Sequence, residues 1–289
     1  MNEYISMNHM ELIHNQQEID KLGCVYMPHH AVVRDDKTTS KVRIVFDTSC
    51  KGVNGRALND DLLVGPRLQP ELRHIIMKLR VHPICFVADI IKMYRQVKVV
   101  DKHTDFQRLL WRENSDENLK DYRMLQVTFG VSSAPYLAVK SLQQVAKDEG
   151  KDYPLAADRV LTDFYMDDFM SGCESEEEAL QIHSEMGDLL GKAGFELQKW
   201  ASNRQRLMEA IYPNAVTSTE KVIKVDDIIK ILGLSWNHHS DSFNYKVNLP
   251  LQQTPVTKRT VLSDISRLFD PLGWISPVII KAKIFMHKL

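Results

Sequence analysis

Apolar residues recur along this chain with two different periods. In QPELRHIIMKLRVHP (Gln69 to Pro83), Leu72, Ile75, Ile76 and Leu79 return at helical spacing, with Pro70 near the start and Pro83 past the end. That spacing predicts an amphipathic helix. The run ICFVADI that follows is short, rich in strand formers and bounded by Pro83, and reads as a buried strand with Asp89 at its C-terminal end. SSAPYLAVKSLQQVAKDEG predicts a second helix, with Pro135 in its first turn, Leu137, Ala138, Leu142 and Val145 on one side and Gly150 as the stop. SEEEALQIHSEMGDLLGKAGF predicts a third, with Ser175 and Glu178 at capping-box spacing and Ala179, Ile182, Met186, Leu189 and Leu190 aligned. Between them, RVLTDFY and FMSG read as two strands around a tight turn. IIKILGLSWN and FNYKVNL read as a later strand pair. The expected architecture is α+β, a mostly antiparallel sheet with helices on one face.

The tight turn carries Asp167 and Asp168. Four adjacent aspartate pairs occur, at 35 and 36, 60 and 61, 167 and 168, and 226 and 227, and for most of them a polar turn is sufficient explanation. Asp167 and Asp168 differ because Phe164, Tyr165, Met166, Phe169 and Met170 bracket them. Two close carboxylates beside apolar surface lose solvation and repel each other, which raises their pKa values unless a cation compensates. Oxygen ligands with spare positions suit Mg²⁺. Asp89, on a separate buried strand, is the candidate third ligand. Three aspartates around two Mg²⁺ ions would form a phosphoryl-transfer site that works by positioning and charge neutralisation.

Composition limits the alternatives. With 289 residues and 44% hydrophobic content the chain can build a sizeable core. No apolar run reaches the roughly 18 residues of a spanning helix, and the start lacks a secretory pattern, so an intracellular, cytoplasmic protein with no membrane partner is expected. Cys24, Cys50, Cys85 and Cys173 are scattered without metal-ligand spacing and read as reduced thiols. A net charge of −1 does not announce a nucleic-acid binder. Lys258 to Leu289, however, holds six Lys or Arg against Asp264 and Asp270, a local net of +4 that fits either a duplex-binding surface or a solvated helix face.

YMDD at Tyr165 to Asp168, with FVADIIKMYRQ upstream and VTFGVSSAPY between them, resembles the palm motifs of reverse transcriptases. YMPHHAVVRDD, KVRIVFDTSCKG, LNDDLLVGP, DFQRLLW, GFELQKWASN and LSDISRLFDPLGWISPVIIKAKI extend the resemblance to the polymerase segment of Pao/BEL-type LTR retrotransposons, from about Gly23 onward. The resemblance implies a right-hand polymerase: N-terminal segment and fingers at 1–66, palm at 67–98, fingers again at 99–133, palm with catalytic hairpin and primer grip at 134–247, and the start of a thumb or connection at 248–289. It implies RNA-directed DNA polymerisation from dNTPs on a primed RNA or DNA template, two Mg²⁺ ions with Mn²⁺ as a substitute, and RNase H and integrase regions elsewhere in a longer polyprotein carried in a virus-like particle. On this resemblance the chain reads as a fragment of such a product. It leaves the oligomeric state unspecified.

Carried over by motif, Asp89, Asp167 and Asp168 match the metal-binding aspartates, and Ile90 adds a backbone carbonyl. Tyr94 matches the aromatic gate that excludes a ribose 2′-hydroxyl; by pattern alone it reads as a core aromatic. Arg43 matches the fingers arginine that stacks on the incoming base and contacts the triphosphate, where an alternating strand also allows a solvated face. Lys41 or Lys37 matches the second triphosphate contact. Gly130 matches the glycine that lets backbone approach the nucleotide, and Phe129 before it stands where vertebrate retroviral enzymes usually have Gln. Lys199 matches the late palm lysine proposed to protonate pyrophosphate, or is an exposed helix-end lysine. LGLSW, from Leu232 to Trp236, matches the hairpin that grips the primer end, or is a plain buried strand. FDTS at Phe46 to Ser49 lacks the glycine and the second copy of an aspartic-protease motif, and that reading is rejected. Two readings stand beside the polymerase: a domesticated or inactive retroelement fragment that binds nucleic acid, and another metal-dependent phosphotransferase.

Overall fold

The computed structural model describes residues 1–33, 42–213, 228–231, 234–245, 247 and 256–288. In chain order the elements are α1 (Asn2–Ser6), β1 (Met10–Leu12), α2 (Gln16–Ile19), β2 (His29–Val33), β3 (Val42–Phe46), α3 (Leu58–Asp61), α4 (Leu72–Leu79) and β4 (Ile84–Ile90). Two 3-10 turns, Met93–Gln96 and Asp101–Gln107, lead to β5 (Arg108–Trp111), β6 (Lys120–Met124), α5 (Ala134–Glu149), α6 (Pro154–Thr162), β7 (Phe164–Tyr165), β8 (Asp168–Cys173) and α7 (Glu176–Gly191). There follow β9 (Leu197–Ser202), α8 (Gln205–Ile211), β10 (Ile228–Ile231), β11 (Leu234–Asn237), β12 (Ser242–Asn244), α9 (Lys258–Ser266) and α10 (Ser276–Lys288).

The chain divides into two compact units. One comprises Met1–Gln69, Ile90–Leu161 and Gly187–Glu196, and the other Pro70–Asp89, Thr162–Met186 and Leu197–Leu289. The second unit contains a four-stranded sheet in the order β7-β8-β4-β9. Its central strand β4 is buried at every residue except half-buried Asp89, the continuous apolar run of a strand covered on both faces. Antiparallel pairing of β4 with β8 runs from Ile84 opposite Cys173 to Asp89 opposite Asp168. Helix α4 inserts Ile75 and Leu79 among Cys85, Val87, Met170, Ala201 and Trp236, which fixes the sheet under the hairpin. Burial pushes the Cys85 thiol up to about 11, so it is an inert part of this core.

The first unit carries two smaller antiparallel sheets, β1-β6-β5 and β2-β3. Its core joins Tyr4, Met10, Met27, Phe46, Leu58, Leu109, Tyr122 and Met124. Beneath it lies a buried charge network in which Arg108 donates to Asp105 Oδ1 at 2.7 and 3.0 Å. The mixed helix and antiparallel sheet architecture agrees with the α+β expectation.

Four local expectations need correction. The RVLT half of RVLTDFY is the end of α6, because Ala156 and Val160 bury at helical spacing, and only Phe164–Tyr165 form β7. IIKILGLSWN is two antiparallel strands, β10 and β11, with Ile231 opposite Leu234, and within FNYKVNL the partner strand reaches only Asn244. Leu137 of α5 is 39% exposed, whereas Ala138 and Leu142 bury as expected; it lines an open apolar pocket with Phe106 and Val131. Val145 is half-buried, and Ala146 fills the core position beside it. In α7, by contrast, Ala179, Ile182, Met186, Leu189 and Leu190 are all buried, and Ser175 Oγ accepts from the Glu178 amide at 3.1 Å.

Candidate active site

Strands β7 and β8 form a hairpin in which Tyr165 pairs with Asp168, leaving Met166 and Asp167 as a two-residue turn. Met166 has φ +59°, a backbone conformation that in a two-residue hairpin turn normally takes glycine. A methionine there costs roughly 1–2 kcal/mol, and packing on both sides must offset it. Phe164 and Phe169 stack at 4.8 Å, while Phe169 also meets Phe86 at 5.9 Å and Trp200 edge-on at 5.8 Å. Each such pair adds about 0.5–1.5 kcal/mol beyond burial, so the aromatic brackets hold the strained turn in place.

The register then brings the carboxylates together. Asp89 of β4 and Asp168 of β8 are Cα partners, and Asp167 is the residue before Asp168. Burial first, then the charges of Asp167 and Asp89, push the Asp168 carboxyl up to about 7, against the pull of Lys199. Asp167 still reaches solvent at the turn. Loss of hydration nevertheless raises its carboxyl, Asp89 adds to this, and its own backbone N–H and Lys199 oppose it. Lys199, on β9, places Nζ 2.5 Å from Asp89 Oδ2, and its own φ is +55°. Among the described residues, no three His, Cys, Asp or Glu side chains already enclose one metal position.

Three residues that the sequence reading passed over hold the hairpin from below. Asp163, 1% exposed, sits just before β7, accepts from Ser171 Oγ of β8 at 2.5 Å and pairs with Lys78 of α4. Its backbone oxygen also accepts from the Met170 amide at 2.9 Å. The available signal was a lone aspartate between Leu161 and Phe164, a costly position unless it is paired.

In the other unit, Tyr94 lies in the 3-10 turn that follows β4 and packs edge-on to Phe129 at 4.6 Å. It is half-buried against Val127, Val131 and Ala134. Arg43 is exposed on β3, as its strand alternation expects, yet its guanidinium lies 5.2 Å from the centre of the Phe129 ring. Gly130 has φ +98°, and a Cβ there would stand 2.6 Å from the Phe46 carbonyl oxygen. The glycine is therefore required by the chain's own backbone packing. Its carbonyl accepts from Thr48 Oγ1 and from Asn59 Nδ2, the latter at 3.0 Å.

Tyr94, Phe129, Arg43 and Gly130 thus cluster in one unit, and Asp89, Asp167, Asp168 and Lys199 in the other; Ile90 is the last residue of β4. Lys37, Lys41, Leu232, Gly233 and the aspartate pairs at 35 and 36 and at 226 and 227 lie outside the described residues. Asp60 and Asp61 have the local roles expected of polar turns: Asp60 accepts from the Ala57 amide and Asp61 pairs with Arg56.

Residues 35–204 match the family described as reverse transcriptase (RNA-dependent DNA polymerase). The chain belongs to the reverse transcriptase family. Residues 257–289 match a Pao retrotransposon-like RNaseH-like domain, in keeping with the Pao-type resemblance. No curated protein matches the sequence. Solved structures that share its fold include two foamy viral proteins. The foamy viral protease-reverse transcriptase dRH in complex with ds DNA superposes with a TM-score of 0.64 at 15% identity, over 99% of this chain and 42% of the other. The foamy viral protease-reverse transcriptase in complex with RNA/DNA hybrid gives 0.61 at 14% identity, over 100% of this chain and 32% of the other. The chain thus spans less than half the length of either structural relative. Among its described residues no helix is long and apolar enough to cross a membrane.

Proposed function

We propose that the chain is an RNA-directed DNA polymerase domain, in which a primer 3′-hydroxyl attacks the α-phosphate of a dNTP and pyrophosphate leaves. The observation that carries this reading is the register pairing of Asp89 with Asp168 beside Asp167, with proton affinity raised at both hairpin carboxylates. Such a cluster demands cations.

The donors fit Mg²⁺, with Mn²⁺ as a substitute. Mg²⁺ is normally held by one or two carboxylates together with waters and substrate phosphates, which suits ions shared with the nucleotide. Asp89, Asp167, Asp168 and the Ile90 carbonyl would hold them. When bound, Mg²⁺ makes the attacking hydroxyl more acidic and neutralises charge on the phosphates. The protein's part is placement. Asp89 and Asp168 fix the ligands on a buried sheet. Tyr94, braced by Phe129, would close off the space beside the deoxyribose, and Arg43 would stack on the incoming base and contact the triphosphate, with Lys41 as a second contact. Lys199 would deliver the proton that pyrophosphate requires on leaving, which means its ammonium must release Asp89.

The division into fingers (1–66 and 99–133), palm (67–98 and 134–247) and the start of a thumb or connection (248–289) belongs to the same proposal. So do a nucleic-acid surface on α9 and α10, where the basic residues of 258–288 other than Arg267 lie, RNase H and integrase regions in a full element, and a cytoplasmic particle as its setting. The test is primer extension on poly(rA)/oligo(dT) with Mg²⁺ and dTTP. Extension supports the polymerase; retention of the duplex without extension selects the inactive nucleic-acid-binding fragment.

A further inference from the structure

We propose that Glu3 is a positioning residue for Tyr94: its carboxylate gathers Lys92 and Arg95, the two cations that flank Tyr94 in one 3-10 turn, and so sets where the Tyr94 ring stands against Phe129. This rests on the reading of Tyr94 as the group that selects the sugar.

The turn needs outside support. It spans only Met93–Gln96 and opens from Lys92 in left-handed backbone, φ +49° and ψ +42°. Its hydrogen bonds include Arg95 N to Lys92 O at 2.8 Å and Val97 N to Tyr94 O at 3.2 Å. Short 3-10 turns have poor hydrogen-bond geometry and do not persist by themselves.

Helix α1 supplies that support. Glu3 pairs with Lys92, and its Oε1 lies 3.3 Å from Arg95 Nη1. The Lys92 hydrogen bond and the Arg95 charge hold the Glu3 carboxyl below its ordinary range, against the desolvation that raises it. Arg95 is 6% exposed. Its guanidinium lies 4.1 Å over the Tyr4 ring, Nε donates to His9 Nδ1 at 3.1 Å, and Nη2 approaches Met7 Sδ at 3.4 Å. Tyr4, Met7 and His9 bring Arg95 no negative charge: His9 Nδ1 accepts from Arg95, and burial, then the Arg95 charge, lower its imidazole. Glu3 is thus the anionic partner in this cluster, and its removal leaves a buried cation poorly compensated.

The same helix reaches the facing wall. Tyr4 meets Phe46 edge-on at 6.2 Å, and the Phe46 carbonyl is the atom against which Gly130 is pressed. Tyr94 and Gly130 therefore share a brace.

The experiment compares wild type, Glu3→Gln and Glu3→Asp for dTTP and UTP incorporation on a primed template, together with melting temperature. Glu3→Gln is expected to raise relative UTP use about three- to tenfold, mainly through the nucleotide KM, while Glu3→Asp stays within about twofold of wild type. Unchanged sugar choice in Glu3→Gln with only a lower melting temperature overturns the proposal and leaves Glu3 a stability residue. If the wild type incorporates nothing, the polymerase reading fails separately. The brace is then read from the ¹³C-labelled Tyr94 ring signal, assigned with Tyr94→Phe, which must move in Glu3→Gln and hold in Glu3→Asp; a signal unmoved in Glu3→Gln overturns it.

Discussion

Lys199 and Asp89 form an ion pair between neighbouring strands, with Nζ 2.5 Å from Oδ2 and the lysine backbone in the left-handed region at φ +55°. An exposed pair of this kind contributes about 0–1 kcal/mol, while a left-handed non-glycine residue costs roughly 1–2 kcal/mol. The pair does not offset the strain. Strain kept at such a place points to function, and Met166 beside Asp167 shows the same feature. Lys199→Met is therefore expected to lower the single-turnover incorporation rate about tenfold or more, with Lys199→Arg recovering part of the rate. A Lys199→Met enzyme with wild-type rate would reduce Lys199 to a counter-ion of Asp89.

Asp168 gives a pH dependence of stability. Its folded-state carboxyl lies at about 7 against an ordinary value of 3.8. The folded state thus holds a proton that the unfolded chain has released, so stability falls as pH rises from about 4 to about 7. In EDTA, Asp168→Asn should remove much of that slope and unfold at higher urea than wild type at pH 8, by on the order of 1–2 kcal/mol after discounting for solvent screening. Equal denaturation midpoints at pH 5 and pH 8 in wild type would contradict the raised carboxyl.

Tyr94→Val removes the ring that meets Phe129 at 4.6 Å. Ribonucleotide use relative to deoxyribonucleotide should rise about ten- to a hundredfold, with Tyr94→Phe close to wild type because the bulk stays. If sugar choice does not change in Tyr94→Val, the residue is a core aromatic and the gate lies elsewhere.

The helices could be read from the sequence because α4 and α7 carry strong apolar periodicity, the buried strand because β4 is a continuous apolar run, and the meeting of Asp89 with Asp167 and Asp168 because charge in such surroundings needs a reason. Asp163 was missed because its partners, Lys78 and Ser171, come from other elements and pair with it only in the folded state. The α6 helix was misread because Arg159 to Thr162 alone is too short to show its period. Gly130 was read as letting backbone approach the nucleotide, and the atom it is seen to approach is the chain's own Phe46 carbonyl.

That contact gives a stability prediction. Gly130→Ala places a Cβ 2.6 Å from backbone at φ +98°, and should lower unfolding free energy by about 2 kcal/mol or more in urea. A variant as stable as wild type would show that the Phe46 segment yields easily.

The central claim is that Asp89, Asp167 and Asp168 act as one metal-binding set. The most direct measurement is single-turnover dTTP incorporation on poly(rA)/oligo(dT) at saturating Mg²⁺, for wild type and for Asp89→Asn, Asp167→Asn and Asp168→Asn, alongside primer-template affinity. Each substitution is predicted to cut the rate by about a thousandfold or more while affinity for the duplex is largely kept. Any one of the three retaining the wild-type rate would contradict the account.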